Sequence, residues 1–362
     1  MIGMTKVLTE ALRQQIPISV LFELTNRCNE DCKHCYVDLG DVHDELTQTE
    51  AERILDELHA MGTLFLTFTG GEIFTRKDAL PLVRYARNLG FALRIFSNGT
   101  LITESVADQI ASIGVVAVEL SLYSMDAAKH DEITRIPGSH ARTLRAARML
   151  RERGVPTVVK APIMAGLTRE YQQVISFARE IGAEYRFDPT LVVRYDLDDS
   201  PLAHRMNRAD LLGICVDPHL GLAVQPGSGT TPNDDQAICA TARRVALISA
   251  RGLVYPCSQR FPPAGSLREQ SFREIWESSP LLLRLRNITS QDLPTCSGCH
   301  NNSFCGRCSL DSLFEDGDFF GPNSWACTQA EVRQEAHAKG GQTIEEMLKT
   351  KFGERQVVCD LG

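Results

Sequence analysis

The chain has 362 residues, enough for two domains or one elaborated barrel, and its 43% hydrophobic and 23% charged residues are ordinary for a globular protein. With 46 acidic against 38 basic residues and a formal charge of −8, it has no basic footprint for nucleic acid, and no apolar run reaches membrane-spanning length. Residues Met1 to Gln15 lack the apolar core of a signal peptide, so a cytoplasmic location is expected, where twelve cysteines point to metal or redox work rather than disulfides.

A first strand is expected over 18–24, and directly after it comes Cys28-Asn-Glu-Asp-Cys32-Lys-His-Cys35. Three thiolates at this spacing on a strand-following loop suit three corners of a cubic [4Fe–4S] cluster. Such cubes normally take four cysteines, so the fourth iron is left for a substrate or cofactor. A zinc site is the competing reading, with His34 or an Asp as the fourth ligand. Helices at 48–61, 79–89, 104–113, 141–153 and 170–181 then alternate with strands at 64–69, 93–97, 115–122, 158–163 and 185–193. Thr47 or Thr49 offers a cap for the first of these helices, and Gly62, Gly90, Gly114, Gly154 and Gly182 fall where each should stop.

Strands alternating with helices imply parallel pairing and right-handed crossovers. A doubly wound sheet satisfies the same pattern, but the cysteine loop after the first strand favours a partial barrel whose strand ends face one site. At those ends stand Gly70-Gly71-Glu72, Ser97-Asn98-Gly99-Thr100 and Ser121, with Arg135 further on. Each has a plain reading as a turn or a surface ion pair. Lys160 interrupts an apolar strand; it matters only if it points into the barrel.

Beyond the barrel the chain turns polar. Residues 196–201 read as a loop, 204–212 as a connecting helix, and 226–232 as a flexible linker. Cys239 and Cys257 flank a hairpin expected to turn at Arg251-Gly252, and the stretch Cys296-x2-Cys299-x5-Cys305-x2-Cys308 precedes Cys327. Taken alone, the two C-x2-C pairs also suit a zinc ribbon.

The first cysteine loop resembles the signature of the radical S-adenosylmethionine (SAM) enzymes, and the second array resembles the SPASM domain, an iron–sulfur module of peptide- and protein-modifying members. The likeness spans roughly 18–330, including a linker-like stretch at 265–276. It implies an α/β fold: a partial (β/α)6 TIM-like barrel over 15–195, a connecting segment over 196–238, a SPASM domain over 239–330 and a tail over 331–362. It also implies that Cys28, Cys32 and Cys35 hold a cluster whose open iron chelates SAM, and that the enzyme cleaves SAM to a 5′-deoxyadenosyl radical. By the same resemblance Gly70, Gly71, Glu72, Ser97, Asn98, Ser121 and Arg135 contact SAM. Cys296, Cys299, Cys305 and Cys327 would hold an outer auxiliary cluster, and Cys239, Cys257 and Cys308 an inner one. His34 stands where relatives usually carry an aromatic residue. Ser258 occupies a place where some carry a catalytic acid, a role a serine does not fill unaided.

Three cubes with one open iron would take eleven cysteines, and the motifs supply ten, leaving Cys215 and Cys359. The fourth position of the inner cluster is then open, filled by a group other than cysteine, or held by Cys215. Cys359 reads as a free thiol. The expected function is hydrogen abstraction from a ribosomally made peptide, with crosslinking, cyclisation, decarboxylation or epimerisation as outcomes. A radical SAM enzyme acting on a small molecule such as a tetrapyrrole is the alternative, and a non-catalytic iron–sulfur or zinc protein a distant one. About fifteen residues precede the first strand, so a separate leader-binding protein is expected, along with a flavodoxin or ferredoxin reductant.

Overall fold

The computed structural model describes residues 2–40, 42–220, 222, 239–259 and 262–339. The linker at 226–232, the tail positions Ile344, Met347 and Leu348, and Cys359 lie outside the described residues.

Helix α1 (Ile2–Arg13) precedes the alternating run β1 (Ser19–Thr25), α2 (Gln48–Ala60), β2 (Phe65–Gly70), α3 (Ala79–Asn88), β3 (Ala92–Ser97), α4 (Glu104–Ile113) and β4 (Ala117–Ser121). Next come α5 (Ala127–Thr134), α6 (Ser139–Glu152), β5 (Thr157–Pro162), α7 (Glu170–Glu180) and β6 (Glu184–Asp188). The chain continues through α8 (Arg208–Cys215), β7 (Val245–Ile248), β8 (Leu253–Tyr255) and β9 (Gly265–Ser266). It ends in α9 (Phe272–Ser278), α10 (Pro280–Arg286), α11 (Pro294–Ser297), α12 (Ser309–Asp316) and α13 (Ser324–Ala338).

From β1 to β6 every neighbouring pair is parallel, and spatial order follows chain order without a reversal. A doubly wound sheet reverses at its switch point. The unreversed order is that of a partial (β/α)6 barrel, and it resolves the choice that strand–helix alternation leaves open. Local chemistry sets the boundaries. Thr47 and Glu50 close a capping box on α2, and Gly114 ends α4 at φ 75°. The sixth strand is shorter than expected because Asp188 Oδ1 accepts the Thr190 N–H at 2.7 Å and turns the chain. The connecting helix begins later than expected, at Arg208, since Asn207 caps it through the Asp210 N–H at 2.9 Å.

Strand alternation divides the barrel into two faces. Val20, Phe22, Leu66, Phe68, Leu93, Ile95, Val118 and Leu120 join Ile54, Leu55, Leu58 and Leu82 in the core beneath the helices. Each large side chain so buried contributes about 1.5–3 kcal/mol. The intervening residues, among them Glu23, Arg94, Phe96, Glu119 and Lys160, therefore face the barrel interior.

The expected hairpin forms, with β7 antiparallel to β8 and Gly252 at φ 79° in its turn. It also does something the hydrophobic pattern does not show. β7 pairs in parallel with β1, Ser19 opposite Val245, so the cysteine-rich half extends the barrel sheet to nine strands. β6 and β9 stand at its two ends.

Candidate active site

Between Thr25 and Gln48 the described chain has no helix or strand, and this irregular loop carries Cys28, Cys32 and Cys35. Its shape is imposed from outside. Asp31 N–H and Lys33 N–H donate to the carbonyls of Thr134 and Ile133, at 3.1 and 3.0 Å, strapping the loop to the end of α5. Lys33 pairs with Glu132 at 2.6 Å, and Arg135 with Asp31 at 2.8 Å. Arg135, expected at SAM, is thus an exposed side chain paired to the cysteine loop.

Around the thiols, Cys28 Sγ accepts the Glu30 N–H at 3.4 Å, and Asn98 Nδ2 lies 3.9 Å away. Cys32 donates to Glu30 Oε2 at 3.5 Å and faces the Tyr123 hydroxyl at 3.9 Å. Burial pushes the Cys28 thiol up to about 12, and it drives Cys32 and Cys35 upward as well. Cys28 and Cys32 are raised further by nearby carboxylates and by the other thiols. An iron core would supply the positive charge that lets these three half-buried thiols ionise beside acids. Glu30, which sequence reasoning passed over, is 5% exposed with Oε1 unpartnered, and burial lifts its carboxyl to about 7. His34 packs edge-on against Tyr123 at a ring separation of 4.9 Å.

Among the described residues no three His, Cys, Asp or Glu side chains converge closely enough for a single metal ion. The thiols nevertheless act electrostatically on one another. A cube takes its ligands at its outer corners, so the thiolates that hold one stand farther apart than those around a single tetrahedral zinc ion.

The Gly-Gly-Glu turn interlocks with this loop. Gly71 N–H donates to Thr25 O and Glu72 N–H to Arg27 O, both at 2.8 Å. A Cβ on Gly70 would stand 2.1 Å from Thr25 O, and one on Gly71 2.4 Å from Arg27 O, so only glycine fits. Glu72 is fully buried. Its carboxylate accepts Ser97 Oγ–H at 2.9 and 3.0 Å, the Asn98 N–H at 2.7 Å and the Phe74 N–H at 3.0 Å. Asn98 Nδ2 donates to Asn29 Oδ1 at 2.9 Å, and Thr100 donates to Asn98 Oδ1. Glu72, Ser97 and Asn98 thus bind protein partners and link the ends of β2 and β3 to the cysteine loop. Ser121 is half-buried at the end of β4, two residues before Tyr123.

Lys160 points inward. Its ammonium lies 3.2 Å from Glu119 Oε2 and over the Phe96 ring. Arg94 reaches Glu119 Oε1 at 2.9 Å, and Arg186 approaches it at 3.8 Å. Three cations on adjacent strands surround one buried carboxylate, so the wall they line is positive. Nearby, the Tyr195 hydroxyl donates to Glu23 Oε1 and to Ser258 O, each at 3.2 Å, joining β1 to the segment after Cys257.

Burial raises the Cys257, Cys305, Cys308 and Cys327 thiols; the charges of Cys296 and Cys299 raise Cys305 and Cys327 further, that of Cys239 raises Cys257, and those of Asp311 and Cys257 raise Cys308. Cys215 ends α8 at 2% exposure in the apolar core, where burial lifts its thiol to about 11 and Arg333 acts against that rise.

The radical SAM superfamily profile matches residues 22–178, and a profile for an iron–sulfur cluster-binding domain, SPASM, matches 239–300. An AdoMet-dependent heme synthase of Methanosarcina barkeri is 27% identical over 334 residues, covering 84% of this chain and 94% of that protein. A PqqA peptide cyclase of Granulibacter bethesdensis is 25% identical over 368 residues, covering 94% and 96%. In fold, the chain resembles Streptococcus suis SuiB bound to precursor peptide SuiA, with TM-score 0.70, 17% identity and coverage of 88% and 78%.

A cysteine-bearing loop at the strand ends of a partial barrel, joined to a second cysteine module, defines an enzyme built for SAM and iron–sulfur clusters. The chain carries a radical SAM domain and an iron–sulfur cluster-binding SPASM domain, the two that its cysteine motifs resemble. Among the described residues no helix is long and apolar enough to cross a membrane.

Proposed function

We propose that this enzyme modifies a ribosomally made peptide by hydrogen abstraction. The alignment with a PqqA peptide cyclase along nearly the whole of both chains carries the reading. When bound, SAM and its cluster supply a 5′-deoxyadenosyl radical, and the auxiliary clusters exchange electrons with the substrate. Cys28, Cys32 and Cys35 hold the first cluster. The backbone of Gly70 and Gly71, with Ser121, lines the SAM site, and Glu72, Ser97 and Asn98 keep its wall in shape. Cys296, Cys299, Cys305 and Cys327 hold the outer cluster, and Cys239, Cys257 and Cys308 the inner one. The positive wall of Arg94, Lys160 and Arg186 suits a substrate carboxylate, such as a Glu or Asp side chain. A leader-binding protein and a flavodoxin or ferredoxin complete the proposed system.

The test is the mass of a short peptide encoded beside the gene after anaerobic co-expression with and without the enzyme. Loss of two hydrogens or of carbon dioxide, or a silent mass with deuterium taken up from heavy water, supports a peptide maturase. A second reading follows from the heme synthase relative: a tetrapyrrole whose carboxylates meet the same wall. An unmodified peptide in both measurements, with a carboxylated tetrapyrrole turned over, would replace the first reading with the second.

A further inference from the structure

The backbone on both sides of Cys305 touches one guanidinium. Arg333 Nη1 donates to the carbonyl of Phe304, the residue before it, at 3.2 Å. A Cβ on Gly306, the residue after it, would stand 3.5 Å from the same nitrogen. The cation is held there by α13. One turn beyond Arg333, His337 packs its ring against Phe304 at a separation of 5.7 Å, and Phe304 is itself buried. Cys327 lies on the same helix. The loop facing α13 is a run of tight turns: Cys299 N–H donates to Cys296 O at 3.2 Å, Asn302 N–H to Cys299 O at 3.1 Å, and Cys305 N–H to Asn302 O at 3.1 Å. One helix thus brings both a cysteine and a cation to the loop that carries Cys296, Cys299 and Cys305.

The plainer role for Arg333 is to satisfy the Phe304 carbonyl, which a neutral donor would do as well. Its charge is left over from that role, and no acid claims it. Glu331, two residues away on α13, does not share its side of the helix. Glu335 is already paired with Arg208 at 2.8 Å and Lys339 at 2.7 Å. Among the described residues Arg333 forms no ion pair. The other guanidinium of this loop is turned elsewhere: Arg307 donates to Gly321 O, Phe319 O and Ser309 Oγ at 2.6 to 2.8 Å.

We propose that Arg333 sets the reduction potential of the outer auxiliary cluster, its unpaired cation beside Cys305 making that cluster easier to reduce. The proposal rests on reading Cys296, Cys299, Cys305 and Cys327 as the ligands of one cluster. On taking up an electron a cluster gains one negative charge, and a fixed cation nearby favours that state. In the proposed reaction this makes the outer cluster a better acceptor for the electron that a substrate radical gives up.

The test uses anaerobically reconstituted holoenzyme, with iron counted per chain and each cluster followed by EPR during a redox titration. Cys299→Ala identifies the outer-cluster signal by its loss. Arg333→Gln keeps a neutral donor at the position and removes the charge. It should retain the full iron content, about twelve per chain for three cubes. The reduced-to-oxidised ratio of the outer cluster at fixed potential should fall about tenfold, which is a midpoint about 59 mV lower for one electron. Arg333→Lys should restore most of the shift, and the other two clusters should keep their midpoints. A wild-type outer-cluster midpoint in Arg333→Gln overturns the proposal. Loss of outer-cluster iron in both variants overturns it too, because Arg333 would then only hold the loop in shape. Full iron content in Cys299→Ala removes the four-cysteine reading and this proposal with it, and leaves the peptide reading to its own mass measurement.

Discussion

Replacing Glu72 by Gln changes no volume, yet the structure assigns it a definite local cost. The two carboxylate oxygens each face a different backbone donor, Phe74 N–H on Oε1 at 3.0 Å and Asn98 N–H on Oε2 at 2.7 Å. A glutamine has one acceptor oxygen, so its amide NH2 must confront one of those N–H groups. Ser97 can rotate its hydroxyl to adapt, but a backbone amide cannot. With the site fully buried, a stranded donor costs about 1–3 kcal/mol, which is roughly 5- to 150-fold in a local opening equilibrium. The assay is amide hydrogen exchange at about pH 8, above the pKa of about 7 to which burial lifts Glu72, so that the wild-type group is ionised. Either Phe74 or Asn98 should exchange faster by that factor in Glu72→Gln while the other keeps its protection. Wild-type protection at both amides would show that the carboxylate does not hold the ends of β2 and β3 together.

In Gly71→Ala the new methyl meets Arg27 O at 2.4 Å and Asn26 O at 2.7 Å, so the cysteine loop must shift; about four irons per chain should be lost, with auxiliary spectra unchanged. Burial pushes the pKa of His130, whose Nδ1 accepts the Tyr123 N–H, down to about 4 from the ordinary 6.5, and His140 adds to the effect. The unfolded chain then binds the extra proton between those values, so this contribution is complete above pH 6.5 and is lost as pH falls toward 4, up to about 3 kcal/mol. Denaturant unfolding across that window should show a shallower acid-side loss in His130→Gln. Lys160→Met removes one of the three cations from the barrel wall; a carboxylated substrate should bind roughly tenfold more weakly, as read by titration, while SAM binding holds.

The barrel was legible because its signals are local. Period-2 and helical apolar patterns, the Thr47 cap and the stop glycines place β1 to β6 and the helices that alternate with them close to where they are found. The short α5 was not legible: its sequence has little apolar periodicity, and it is fixed by Asp126 at its cap and by its contacts with the cysteine loop. In sequence β7 reads as half of a hairpin, but its parallel pairing with β1 depends on a partner more than two hundred residues away. The cysteines were legible as residues in motifs. The groups that surround them were not, because Glu30 and Tyr123 are ordinary residue types whose meaning comes from burial beside a thiol.

The two cysteine regions are positioned by different physics. The first loop has no helix or strand of its own, and its restraints come from the ends of β2 and β3 and from α5. Closing contacts of such long sequence separation costs chain entropy that only an assembled barrel repays. The SAM-cluster thiols therefore come together when β1 to β4 have paired. In the second region, Cys296 lies in α11, Cys299 follows its end with its N–H donating to Cys296 O at 3.2 Å, and Cys308 is the N-cap of α12, so part of each donor set exists as soon as a short helix forms. Those helices are four and eight residues long and marginal alone, which makes a bound cluster part of what holds them. Removing auxiliary iron should thus unfold the region around α11 and α12 while the barrel amides keep their protection, and hydrogen exchange on chelated protein reads both at once. Equal deprotection of β2 and α12 would mean that the two regions fold as one unit.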